Sequence, residues 1–183
     1  MNSEVLMKLL LFLSFVFWST LSHSKREISI EASLTLEQTY LEESLVKGDE
    51  VVIEMVKSGN FSPDPQVRFD YLNFYFPEKE TRVLGYQLVY FNYEHADKYI
   101  GCCVNHGTAV VLSKLPSESG TDLQKFAKRN FCMISKGDHI YMPEQIKNRI
   151  IMDGFDLTNL IELSCKERDR REFEEEAMVQ EVQ

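Results

Sequence analysis

The chain has 183 residues, 20 of them basic and 29 acidic, giving a formal net charge of −9 and an isoelectric point near 5.0. That balance argues against nucleic acid, whose phosphates demand Lys and Arg, and against anionic membrane surfaces. With 44% hydrophobic residues, the length suits one domain with a buried core.

Lys8 precedes an unbroken apolar run from Leu9 to Leu21, followed by Ser22-His23-Ser24 and the basic pair Lys25-Arg26. A basic flank, an apolar core and two small residues in A-x-A spacing predict a secretory signal peptide over residues 1–24. The run is shorter than the roughly 20 residues of a membrane-spanning helix. Cleavage after Ser24, with no stable membrane anchor left, is therefore expected. The remaining chain divides into a single α+β domain over 25–165 and a charged tail over 166–183.

In EISIEASLTLE, Ile28, Ile30, Ala32, Leu34 and Leu36 fall at every second position, which predicts a half-buried strand. Leu36, Tyr40, Leu41 and Leu45 then fall at helical spacing, with Gly48 as a stop. DEVVIEMVK (49–57) is rich in β-branched residues and reads as a strand. SGNFSPDP (58–65) reads as a loop and contains the glycosylation sequon Asn60-Phe61-Ser62, directly followed by Pro63. The aromatic runs 67–76 and 82–93, separated by PEKE, predict an antiparallel pair. Residues 99–104 and 108–113, joined by the turn-forming NHG, predict a second hairpin.

After a loop at 116–120, Thr121-Asp122 caps a helix in DLQKFAKRN, and FCMIS (131–135) reads as a short strand. KGDH is a turn. PEQIKNRIIMDGF opens on proline, carries Ile146, Ile150 and Ile151, and stops at Gly154, a strong helix signature. The apolar stretch 157–165 fits strand or helix. The final segment, KERDRREFEEEAMVQEVQ, holds opposite charges four apart, such as Glu167 with Arg171, and predicts a solvated helical tail. The fold class expected is α+β: a central antiparallel sheet with flanking helices, braced by disulfides.

Four cysteines, Cys102, Cys103, Cys132 and Cys165, follow the signal. An even number in an oxidising compartment predicts disulfides. If YIGCCV is a strand, the side chains of Cys102 and Cys103 point to opposite faces. One bridge to Cys132 and one to Cys165 is then expected, in either pairing. A metal alternative uses Cys103-x2-His106 with Cys132, Cys165, His95 or His139. It lacks the C-x2-C and H-x3-H spacings of zinc sites, so no metal and no cofactor are expected.

VNHGTAVVL (104–112) resembles the segment that bears the general-base histidine of papain-like proteases. In that family the nucleophile lies upstream in a C-G-x-C-W motif. No cysteine precedes Cys102 here, so the activity is not carried over. A helix followed by a mostly antiparallel sheet is similar to cystatin-like architecture, and QLVYF (87–91) resembles the inhibitory hairpin of that family without its central glycine.

No G-x-S-x-G, H-E-x-x-H, P-loop or EF-hand spacing is present. The carboxylate clusters Glu42-Glu43 and Glu174–Glu176 fall on helix surfaces and read as solvated. Aromatics occur on both faces of the predicted pair in FDYLNFYF and GYQLVYFNYEH. They form either a sheet buried on both sides or a pocket or interaction surface. The expectation is a secreted or periplasmic binding or interaction protein without catalytic activity, with a protein or small apolar ligand as partner. The alternative is an exported thiol enzyme or hydrolase using Cys103 with His106 or His139.

Overall fold

The computed structural model describes residues 28–35, 48–94, 105, 107–113 and 121–172. The predicted signal peptide, the helix expected over 36–47, the strand expected at 99–104, the loop at 116–120 and the acidic end of the tail lie outside them.

A seven-stranded antiparallel sheet organises these residues. Its strands are β1 (Val67–Phe69), β2 (Leu72–Tyr75), β3 (Arg82–Val83), β4 (Tyr86–Glu94), β5 (Thr108–Ser113), β6 (Met133–Lys136) and β7 (Leu160–Ser164). The order across the sheet is β1-β2-β4-β5-β7-β6, with β3 paired to β4. The described helices are α1 (Ile30–Ser33), α2 (Gly48–Lys57), α3 (Leu123–Asn130) and α4 (Glu144–Met152), with further helical turns at 167–172. The α+β expectation, with an antiparallel sheet and flanking helices, therefore holds.

Two segments read as strands are helices. Ser29 accepts the Ala32 N–H at 3.1 Å and caps the single turn of α1, whose Ile30 and Ala32 still point inward. In α2 the inward residues are Val51, Val52, Met55 and Val56, a stripe of helical period, while Ile53 and Glu54 face solvent. The β-branched residues misled because burial on one face outweighs intrinsic preference. Gly48, expected to stop a helix, is itself the first described residue of α2. An alanine Cβ there would stand 2.3 Å from Cγ of Tyr93, so the glycine lets the helix start seat directly on β4.

The aromatic runs do pair: β2 and β4 match Leu72 with Glu94 through Tyr75 with Phe91. Each run also folds on itself, since β1 turns back onto β2 through Asp70-Tyr71 and β3 onto β4 through Leu84-Gly85. Of the second predicted hairpin, only the arm 108–113 is described. β5 forms, but β4 holds one of its edges from Ser113 to Thr108 and β7 holds the other from Ser113 to Ala109. Both edges of β5 are thus taken by β4 and β7.

The sheet is covered on both faces. On the first, α1, α2 and α3 pack against Tyr75, Leu88, Phe91, Tyr93, Val110, Leu112 and Leu163. On the second, α4 brings Ile146 and Ile150, joined by Ile140 and Met142, onto Phe74, Phe76, Tyr90 and Val111. The aromatic band thus resolves as two cores. Phe61 stacks on Tyr75 with ring centroids 5.6 Å apart, and Tyr90 meets Phe74 edge-on at 5.5 Å. A buried contact of 3.0 Å between Ser33 Oγ and Thr108 Oγ1 ties α1 to β5.

The third quarter follows its sequence signals. Asp122 caps α3 by accepting the Lys125 N–H at 3.2 Å, Pro143 stands before α4, and Gly154 takes φ 86° beyond its end. The ambiguous stretch 157–165 resolves into a 3-10 turn followed by β7.

Candidate functional site

Cys132 and Cys165 are joined by a disulfide, with Cα atoms 4.3 Å apart. This overturns the expectation that Cys132 and Cys165 each bridge to the Cys102-Cys103 pair. The reason is topological. β6 and β7 are neighbours with Met133 opposite Ser164, and one step further along the same register sets Cys132 opposite Cys165. Both sulfurs are thereby removed as metal ligands, which also takes Cys132 and Cys165 out of the metal alternative.

Cys102, Cys103, His95 and His106 lie outside the described residues. His139 sits exposed in the 3-10 turn Gly137–His139 after β6. Among the described residues, no group of three or more His, Cys, Asp or Glu side chains is placed to hold a metal ion. None of their helices is long and apolar enough to cross a membrane.

Two other places carry chemistry. The first lies at one end of the sheet's second face, beyond the core built on Tyr90 and Val111. Cross-strand register places Tyr90, Val111, Glu162 and Ser135 in one row and Asn92, Ala109, Ser164 and Met133 in the next. Lys166 and Arg170, expected on a solvated tail, are buried. Asp169 accepts the Ser164 hydroxyl at 2.5 Å and the Lys166 N–H at 3.2 Å. Glu94 accepts the Asn105 N–H at 2.7 Å, and Asn105 Oδ1 accepts the Arg168 N–H at 2.7 Å. Arg170 Nε donates to the Cys165 carbonyl at 3.1 Å. These bonds pin the helical residues 167–172 across the end of the sheet.

Burial pushes the Glu162 carboxyl up to about 7; Lys166 pulls the other way and Asp169 adds to the rise. Burial likewise lowers the Lys166 ammonium, against the raising pull of Glu94, Glu162 and Asp169. The Tyr90 phenol is held well above its usual range by burial and by Glu162.

A raised carboxyl folds with its proton on. Its stabilising contribution is complete below the unfolded value of 4.5 and is lost as the pH rises through about 7. Unfolding stability should therefore fall by about 3 kcal/mol from this group between those pH values. Glu162→Gln should flatten that slope in urea titrations run at half-unit pH steps. A sequence signal was present but unused: Leu160, Glu162 and Ser164 alternate with Ile161, Leu163 and Cys165, the pattern of a strand with one wet face, in a stretch read only as apolar strand or helix.

The second place is the β6 edge. α3 runs beside it, and a groove of about 460 Å³ opens between them, lined by Gln124, Lys125, Ala127 and Lys128 of the helix and by Cys132, Met133 and Ile134. β6 stands last in the sheet order and, among the described strands, pairs only with β7. This groove couples an open strand edge to a charged helix. The sequence predicted both elements but held no sign that they border each other.

No protein-family model matches the chain, and no curated protein or solved structure matches it.

Proposed function

We propose that this protein is exported and acts as a disulfide-braced binding module whose partner is another protein. The Cys132–Cys165 bond carries this reading. Disulfides persist in oxidising compartments, and the apolar run Leu9–Leu21 behind Lys8 has the pattern of an export signal. The bond uses its sulfurs as a staple, holding the four-residue edge strand β6 to the body of the sheet. Most aromatic side chains of 67–93, which suited a small apolar ligand, are packed into the two cores, while Phe69, Tyr71 and Tyr141 stay exposed. Exposed side chains and an open strand edge favour a protein as the partner.

The competing reading, a thiol enzyme using Cys103 with His106 or His139, makes a distinct demand. A nucleophilic cysteine must be a thiolate near neutral pH. Iodoacetamide labelling of the exported protein, followed by non-reducing peptide mapping, separates the two. The binding-module reading expects a linked Cys132–Cys165 peptide. It also expects no sulfur that labels as fast at pH 6 as at pH 8, and unchanged stability in His106→Ala and His139→Ala. A cysteine labelled rapidly at pH 6, slowed by either histidine variant, overturns it in favour of the enzyme.

A further inference from the structure

We infer that the β6 edge accepts an acidic peptide in extended conformation, which adds to the sheet as an eighth strand beside α3. The inference rests on the binding-module reading and names the partner class of its surface.

The backbone geometry supplies the edge. Cys165 donates its N–H to the Thr108 carbonyl at 3.0 Å, so its backbone polar groups face β5 and not β6. Alternation along an antiparallel ladder then turns those of Leu163 and Ile161 the same way, and those of Ser164 and Glu162 toward β6. The bonded pairs between β6 and β7 are therefore Met133 with Ser164 and Ser135 with Glu162. The 4.3 Å Cα separation at Cys132–Cys165 agrees, because it is that of a close, non-bonded pair. Cys132, Ile134 and Lys136 consequently turn their backbone groups to the open side. The Cys132 N–H is already given to the Ala127 carbonyl at 3.0 Å, which anchors the end of α3 there. Ile134 presents its groups to the groove, and Lys136 continues the open edge beyond it.

Charge selects the occupant. The chain as a whole is acidic, with 29 acidic against 20 basic residues. Yet LQKFAKRNFCMISK (123–136), which builds α3 and β6, contains Lys125, Lys128, Arg129 and Lys136 and no acidic residue. Lys125 and Lys128 stand on the groove wall, and Lys125 also reaches Asp122 at 3.2 Å. A strand carrying alternate glutamates meets this local positive field while its backbone bonds the edge. Strand addition gives affinity through main-chain bonds and specificity through alternate side chains.

The test uses the full exported chain and two fluorescein-labelled nine-residue probes, one alternating valine with glutamate and one alternating valine with lysine. Binding is read by anisotropy, and its site by amide NMR. The expected result is that the glutamate probe binds and the lysine probe does not, with affinity falling as salt rises. The amides of Ile134 and Lys136 gain protection from exchange, while those of Met133 and Ser135, already bonded to β7, change little. Lys125→Glu combined with Lys128→Glu weakens the glutamate probe by about tenfold or more. Both positions lie on the solvent side of α3, and an unchanged unfolding midpoint shows that the variant is folded. Equal binding of the two probes, indifference to the charge reversal, or protection elsewhere on the chain overturns the assignment. A chain that lacks a thiolate cysteine yet ignores both probes sinks the β6 edge alone. A chain with a histidine-activated cysteine sinks the binding-module reading whatever the probes do.

Discussion

Replacing Gly107 by alanine is expected to cost the fold about 2–5 kcal/mol, measured by urea unfolding. Gly107 holds φ at 114°, where an L side chain is strained. A Cβ built there would stand 2.7 Å from the Cys165 carbonyl oxygen and 2.8 Å from the Lys166 Cα. Both are backbone atoms of the neighbouring segment, so no rotamer change relieves them. Left-handed strain alone costs about 1–2 kcal/mol, and forced overpacking adds about 1–3 kcal/mol. Gly154 provides the control, since it has φ 86° and nothing within 4 Å of an added methyl. Gly154→Ala should therefore show the strain without the clash, a loss of about 1–2 kcal/mol. Equal losses at the two positions would mean that the close approach of the Cys165-Lys166 backbone to Gly107 has no energetic weight.

The consequence of Gly107→Ala should also be local. The same Cys165 carbonyl accepts the Arg170 guanidinium, and Lys166 begins the segment that packs across the sheet end. Pushing these atoms away loosens the segment that covers Glu162. The variant should therefore lose part of the Glu162-dependent pH slope, because a carboxyl returned to water titrates near its ordinary value. Repeating the urea titrations at pH 5 and pH 8 on the variant checks this.

Removing the disulfide should cost a similar amount. The cross-link spans 33 residues, and closing a loop of that length lowers the entropy of the unfolded chain by the equivalent of about 3–4 kcal/mol. Cys132→Ser combined with Cys165→Ser should lower the unfolding free energy by that much. The loss should be felt first in β6. That strand has four residues and one described neighbour, and without the bond it is held only by its ladder to β7 and by α3. Amide exchange at Met133 and Ser135 should accelerate in the double variant under conditions where β4 and β5, flanked on both sides, stay protected. Uniform acceleration across the sheet would show that the bond stabilises the domain only as a whole.

Signals confined to a few residues were legible in the sequence. Asp122 caps α3, Pro143 and Gly154 bracket α4, and the FCMIS strand and KGDH turn form where predicted. Each depends on a side chain meeting a backbone group within about four residues, or on one residue's own φ, and such preferences operate without the rest of the chain. The aromatic and β-branched runs, including Thr108–Ser113, likewise produced strands. The misreadings were of a different kind. Residues 49–57 carry β-branched side chains, yet Val51, Val52, Met55 and Val56 form a helical stripe once a sheet face exists to receive it.

What the tertiary structure alone decided is who neighbours whom. That β7 occupies the second edge of β5, that β6 lies outside β7, and that Cys132 therefore meets Cys165 follow from strand order and register. So do the burial of Lys166 in a segment read as a solvated tail, the half-burial of Glu162 beneath it, and the juxtaposition of a basic helix with an open strand edge. Pairing partners are chosen by the burial of whole faces between residues far apart in the chain. A residue's own identity and its near neighbours fix its local shape, but the free energy that selects its distant contacts exists only when all layers are assembled together.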